Sequence, residues 1–217
     1  MRSFRIGGIH PEENKFSAGA AIQQADIPAT VVIPLAHYIG SPSEAIVKRG
    51  DMVKVGQQIG AANGFISANV HSSVSGKVRK IDVQLDASGY KRPAVFIEVE
   101  GDEWLETIDR TQDVVRGCSL SKEEIIQKIK DAGIVGLGGA TFPAHVKLMP
   151  PPGKKAEYLI INGVECEPYL TCDHRLMLEH GEEILIGVSI LMKALGVDKA
   201  IIGIENNKKD AIEHMTR

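Results

Sequence analysis

The chain has 217 residues, 43% of them hydrophobic and 24% charged, with a formal net charge of −3. That length allows one or two globular domains, and the slight acidity, without a basic stripe interleaved with aromatics, gives no reason to expect a nucleic-acid partner. Cys118, Cys166 and Cys172, the three cysteines, are too few for a disulfide framework, fit a reducing cytosol, and are too sparse to hold zinc or an iron–sulfur cluster unaided.

Met1-Arg-Ser-Phe-Arg-Ile-Gly-Gly lacks the apolar core of a secretory signal, and no apolar run reaches transmembrane length. The expectation is a soluble chain able to dock on a membrane protein. Residues 1–27, polar and with Gly7-Gly8 and Pro11, read as an extended arm. Val31–Pro34 is the first strand. Turn signals then follow at Gly40-Ser-Pro42, Gly50-Asp51, Gly56-Gln57, Gly64, Gly76 and Gly89. Short apolar pieces lie between them, at 45–47, 52–53, 58–59, 76–78 and 94–97. Many short strands with frequent turns indicate a small barrel or sandwich. His71 reads as a polar residue at a sheet corner, and His10 and His37 as similarly unspecialised.

Val47-Lys-Arg-Gly-Asp-Met-Val-Lys-Val-Gly-Gln-Gln-Ile-Gly60 resembles the first half of biotinyl/lipoyl carrier domains. Val70-His-Ser-Ser-Val-Ser-Gly-Lys-Val78 resembles their second half. The resemblance implies a barrel-sandwich hybrid over roughly residues 30–100. A carrier needs a lysine at the hairpin tip, near Phe65-Ile66-Ser67 by spacing, and no lysine occurs from Val55 to Gly76. The fold is therefore expected without the prosthetic group.

Residues 101–118 form a polar connection containing Trp104, the chain's only tryptophan, and place a boundary between domains at 1–105 and 106–217. Ser121-Lys-Glu-Glu124 is a capping box; Ile125, Ile126 and Ile129 give an apolar helical face, and Gly133 is a natural stop. The helix delivers the chain into Gly133-Ile-Val-Gly-Leu-Gly-Gly-Ala-Thr-Phe-Pro-Ala-His-Val-Lys147. Its glycines are expected to take positive φ and to aim several N–H groups into one concavity, which suits a phosphate or another anion. Phe142 adds an aromatic face, Lys147 a positive charge, and Pro143 the start of a helix. A Gly-rich turn between two elements has the same look. The run also follows a helix rather than a strand, unlike the ordinary dinucleotide fingerprint.

After a Pro-rich connector, Tyr158–Ile161 reads as a buried strand ending in Asn162-Gly-Val-Glu-Cys-Glu-Pro168. Ligands in open α/β sheets sit beyond the carboxyl ends of strands, so Asn162, Glu165 and Glu167 are placed like binding residues. The alternative is a solvated acidic turn capping the next helix. Residues 173–195 read as helical with a break at Gly181, and the methionines as packing. Lys199–Ile204 is a second strand, ending in Glu205-Asn206-Asn207, and a helix starts at Lys208. The β–α pattern is unfinished at Arg217, the expected look of a truncated chain.

The Gly-rich stretch and the Asn-Gly-Val-Glu-Cys-Glu-Pro turn resemble the flavin subunit of respiratory complex I, with Leu137, Thr141 and Val164 departing from its pattern. The whole chain more closely resembles the RnfC family of Rnf electron-transport complexes. Arg5-Ile-Gly-Gly-Ile-His-Pro-Glu-Glu-Asn-Lys15, the lysine-less lipoyl-like module, the Gly-rich loop and Glu165-Cys-Glu-Pro-Tyr169 occur in that family's order. The implied fold is a lipoyl-like barrel-sandwich hybrid followed by a partial Rossmann-like α/β domain binding FMN and NADH. By position, the resemblance assigns Gly136, Gly138, Gly139 and Lys147 to cradling FMN. It assigns Asn162 and Glu165 to the flavin ring or ribityl chain, Phe142 to stacking on nicotinamide, and Glu167 to NADH. Glu205, Asn206 and Asn207 would line the same pocket.

The resemblance further implies an NADH-linked flavin oxidoreductase subunit of the translocase class, coupling electron transfer between NADH and ferredoxin to ion translocation. It would sit peripherally on the cytoplasmic face of the bacterial inner membrane, held by the other subunits of its complex. The family's 4Fe-4S cysteine motifs do not occur in these 217 residues, so the chain alone is expected to be inactive. Two other readings are a cobalamin reductase subunit of a microcompartment and a non-catalytic docking scaffold. The Rnf-like N-terminal signature disfavours the first; flavin binding would exclude the second.

Overall fold

Lys48-Arg-Gly-Asp51 and Lys54-Val-Gly-Gln57 are one turn made twice. In each, the third residue is a glycine at positive φ, +97° at Gly50 and +82° at Gly56, a conformation that side chains resist. The N–H of the fourth residue donates to the carbonyl of the first, at 3.1 Å in both turns. Its side chain returns to accept from the N–H of the first, Asp51 at 2.9 Å and Gln57 at 3.0 Å. These closures account for the carrier-like spacing of Gly-Asp and Gly-Gln.

The computed structural model describes residues 11–86, 89–111, 113–138 and 140–216. Two compact units divide the chain. One is Asp26–Lys155; the described part of the other comprises 11–25 and 156–216. The first unit thus continues well past residue 105.

In the first unit, the strands are β1 (Thr30–Pro34), β2 (Glu44–Ala45), β3 (Met52–Val53), β4 (Gln58–Ala61), β5 (Val70–His71), β6 (Gly76–Leu85) and β7 (Lys91–Val99). They form two antiparallel sheets, ordered β1-β7-β6-β3 and β2-β4-β5. Leu35, Val53, Ile59, Val70, Val78, Val95 and Ile97 fill the core. One polar knot lies inside it, where the Tyr38 hydroxyl meets Ser43 Oγ at 2.6 Å and Ser67 Oγ at 3.0 Å. β6 and β7 run further than the apolar pieces at 76–78 and 94–97 imply. A register shift between Val78 and Lys80 moves the apolar phase from even to odd positions, so that Ile81, Val83 and Leu85 follow a buried Val78 and are themselves exposed.

Helix α1 (Lys122–Asp131) carries the expected capping box at Ser121 and Glu124. Gly133, φ +66°, ends the helix against the Asn69 carbonyl, where a Cβ would overlap it. The Asn69 side-chain amide donates to the Asp131 carbonyl at 3.2 Å. After Pro143, α2 (Ala144–Lys147) is a single turn, and its buried His145 bonds the backbone of Phe65. Residues 65–69, where a carrier domain displays its lysine, are thus tied to α1 and α2. Val55 and Trp104 pair through Val55 N–H to Glu103 O (2.8 Å) and Leu105 N–H to Val55 O (3.1 Å).

The second unit holds β8 (Leu159–Gly163), α3 (Cys172–Glu179), α4 (Gly181–Leu195), β9 (Ala200–Ile204) and α5 (Lys209–Thr216). β8 and β9 are parallel, in register from Leu159↔Ala200 to Gly163↔Ile204, with α3 and α4 as the crossover. The helical stretch breaks at His180 and stops at Gly196, φ +68°. The expectation of a buried first strand requires correction. Successive side chains of a strand face opposite ways: Leu159 and Ile161 are half-buried, but Ile160 is 70% exposed beside Ile201 at 51%. Residues 11–25 contain no helix or strand, as expected of an arm. Gly7-Gly8 and His10 lie outside the described residues. Among the described residues no helix is long and apolar enough to cross a membrane.

Burial, and then the positive charge of Lys130, hold the His145 imidazole below its ordinary pKa of 6.5; the Phe65 backbone bond opposes them. Desolvation lowers His71 likewise. A base with a depressed folded pKa contributes its full stability above the unfolded value and loses it as the pH falls towards the folded one. The denaturation midpoint of the first unit should therefore drop steadily as the pH is lowered below 6.5. His145→Asn should flatten that drop without abolishing it, as read by urea melts across pH 5–8.

Candidate functional site

The Gly-rich loop closes on itself. Val135 and Pro143 form an antiparallel bridge; the Gly136 N–H donates to Phe142 O at 3.0 Å, Ala144 N–H to Ile134 O at 2.9 Å, and Thr141 N–H to Gly138 O at 3.2 Å. Two expectations are corrected here. The Gly136 N–H serves the loop itself rather than a ligand, and positive φ falls on Thr141 (+48°), not on Gly136 or Gly138. Gly139 lies outside the described residues. What Gly136 provides is proximity: a Cβ there would sit 2.9 Å from Lys147 Nζ. Leu137 stands 95% exposed at the tip, Phe142 is half-buried and Lys147 is exposed.

In the second unit, the turn after β8 is held by its carbonyls. The buried Lys208, 2% exposed, donates from Nζ to Val164 O (2.9 Å), Asn207 Oδ1 (3.1 Å), Glu165 O (3.4 Å) and Glu205 Oε2 (3.4 Å). One ammonium thereby joins the carboxyl ends of β8 and β9. From the arm, Lys15 Nζ donates to the carbonyls of Glu165 (2.9 Å), Glu167 (2.8 Å) and Leu170 (2.7 Å). Asn162 Oδ1 accepts from the Val164 N–H at 3.2 Å. Asn162, Glu165, Glu167, Glu205 and Asn207 are so brought to one end of the sheet. Asn206 lies exposed in the same β9 turn.

Glu165 is 7% exposed and sits at φ +52°. Its Oε1 accepts from the Asp173 N–H at 2.7 Å and from Cys172 Sγ at 3.4 Å, capping α3 where Thr171 offers no side-chain cap. This is the acidic-turn alternative, met by one oxygen only. Oε2 is buried with no hydrogen-bond partner. Burial, with the charges of Glu165 and Glu167 adding to it, pushes the Asp173 carboxyl above the usual carboxylate range. Burial also raises the Cys172 thiol, helped by its hydrogen bond to Glu165 and by the Asp173 charge. An extra negative charge is unwelcome here, and a donor to Glu165 Oε2 is wanted.

Sequence reasoning assigned no role to Lys208 or Lys15. Lys208 stands at a helix start, where lysine is unremarked, and Lys15 acts across 150 residues of sequence. Only the position of Lys15 in the Arg5–Lys15 signature could have marked it. Lys208→Met should leave the Val164 carbonyl and the Asn207 side chain without their charged donor. The loss expected is about 2 kcal/mol of second-unit stability, measured by chemical denaturation with hydrogen exchange resolved to 156–216.

The family model for the RnfC barrel sandwich hybrid domain matches residues 3–102, and that for the Nuo51 FMN-binding domain matches 129–217. The RnfC-type subunit of the proton-translocating ferredoxin:NAD(+) oxidoreductase complex of Clostridium ljungdahlii is 48% identical over 100% of this chain and 47% of its own length. The corresponding subunit of the Na(+)-translocating complex of Acetobacterium woodii is 46% identical over 97% of this chain and 47% of its own. That of the ion-translocating oxidoreductase complex of Rhodobacter capsulatus is 46% identical over 100% of this chain and 42% of its own. The chain spans about half the length of the curated relatives it matches. Matched in order by both domain models and along its length by these subunits, the chain belongs to the RnfC family.

Proposed function

We propose that the chain is the FMN- and NADH-binding part of an RnfC subunit that joins electron transfer between NADH and ferredoxin to ion translocation. The observation that carries this reading is Glu165 Oε2, a buried acceptor without a partner. It lies at the carboxyl ends of parallel strands, where open α/β sheets take their ligands. The Gly136 approach to Lys147 is a second fit: a side chain at 136 would displace the one cation of that loop suited to a phosphate.

A bound FMN supplies the two-electron chemistry, so the chain's part is binding, orientation and electrostatics, with no protein acid or base in the hydride step. Lys147, with Gly136, Gly138 and Gly139, cradles the flavin phosphate. Asn162 and Glu165 bond the ring or ribityl donors, Phe142 stacks on nicotinamide, and Glu167 accepts from NADH hydroxyls. Glu205, Asn206 and Asn207 complete the polar lining, and the β8–β9 crossover is the Rossmann-like element. Iron–sulfur clusters belong to sequence beyond these 217 residues. The residues 1–105 and 106–217 act as carrier-like and flavin-binding domains, and the subunit sits peripherally on the cytoplasmic face of the membrane among its partner subunits.

The test is FMN titration, followed by flavin fluorescence, on the full-length subunit and on the 217-residue chain. Wild-type full-length protein should bind, and Gly136→Val and Glu165→Ala should each weaken binding roughly 10-fold or more, the worth of one charge-assisted contact. A full-length protein that takes no flavin would sink the reading. Binding by the full-length protein alone would mean that the 217 residues form an incomplete pocket and are inactive by themselves.

A further inference from the structure

We propose that Lys15 is a positioning residue for the ligand site in the acidic turn, the arm 11–25 acting as a strap that fixes the turn in its binding shape. The inference rests on the flavin reading above and adds to it a residue far away in sequence.

An ammonium has three N–H donors, and Lys15 places all three on carbonyls of one turn, at 2.7–2.9 Å. That turn needs restraint. Glu165 and Tyr169 both occupy the left-handed region, at φ +52° and +70°, where residues other than glycine are strained. The carbonyls Lys15 collects are those of Glu165, Glu167 and Leu170, which bracket both strained positions. Other arm residues follow the same path. Glu13 O accepts from the Tyr169 N–H at 2.9 Å, the Phe16 ring lies 5.8 Å from the Tyr169 ring, Ser17 and Thr171 share a hydrogen bond of 2.7 Å, and Ala18 O accepts from Arg175 at 3.1 Å.

The choice of carbonyls matters chemically. Lys15 bonds the backbone of Glu165 and Glu167 and leaves their carboxylates to other donors. It also brings a second positive charge, after Lys208, to a turn that gathers Glu165, Glu167 and Asp173. Without it the carboxylates repel and the left-handed residues can relax, so that Glu165 no longer aims Oε2 from its buried position.

The test compares wild type, Lys15→Met and Lys15→Arg in the full-length subunit by FMN titration and by amide hydrogen exchange. Lys15→Met should raise the FMN dissociation constant roughly 10-fold, as expected for losing a set of charged hydrogen bonds. It should speed exchange at 164–172 and leave 30–99 unchanged. Lys15→Arg, which keeps the charge and can still donate to two carbonyls, should recover most of the affinity. In wild type, added FMN should slow exchange at 12–18 together with 164–172. An unchanged dissociation constant and unchanged exchange in Lys15→Met would overturn the proposal. So would equal loss in both variants with exchange raised throughout 156–216, the mark of a general structural role. Should Lys15→Met not fold, flavin protection of 164–172 without protection of 12–18 would overturn it in wild type. A wild-type protein that takes no flavin sinks the flavin reading instead, while the exchange effect of Lys15→Met still reports on the strap.

Discussion

A buried ammonium must be answered by oxygen, and most of the second unit is organised by how Lys208 is answered. Removing a charge from water is tolerated only where hydrogen bonds replace hydration. The carbonyl of Val164 and the side chains of Glu205 and Asn207 do so from two different strand ends. The parallel register of β8 and β9 brings those ends level. The same contacts turn the chain sharply after Gly163, present Glu165 to the start of α3 and give that helix its cap. Strand pairing, turn shape and helix start are one linked arrangement rather than three local preferences.

The first unit puts an old scaffold to a different use. A carrier domain holds its hairpin tip out in water, so that an acylated lysine can swing. Here the loop after β4 is secured by short polar contacts at its base, Tyr38 with Ser67 and Asn69 with the end of α1. Its outer part is bonded to His145. With no lysine to display, the hairpin has become a support for α1 and for the Gly-rich loop that follows it.

Much of this was legible in the sequence because the signals were local. The Gly-Asp and Gly-Gln turns, the capping box at Ser121, the stops at Gly133 and Gly196 and the two parallel strands each depend on a few neighbouring residues. The apolar run at Ile81, Val83 and Leu85 escaped notice because the bulge before Lys80 breaks the alternation that a strand reading relies on. The glycine run misled in a different way. Its composition permits outward N–H groups, but Phe142 O, six residues on, takes the Gly136 donor. Lys15 and Lys208 were out of reach because their partners are largely backbone carbonyls, which carry no mark in a sequence. The orphaned oxygen of Glu165 depends on burial, which composition does not disclose.

The pair Ile160 and Ile201 bears on how the protein behaves in concentrated solution. They stand side by side across the β8–β9 ladder, with most or half of their surface in water. Parallel strands are ordinarily buried on both faces, and two strands alone are marginal. Such a strip favours sticking to any flat apolar surface, including another copy, and a ladder with unpaired backbone invites further strands to add. Handling at high concentration or warmth would then be limited by colloidal loss rather than by unfolding. A charged residue at 160 or 201 is the natural place to improve solubility without touching the acidic turn.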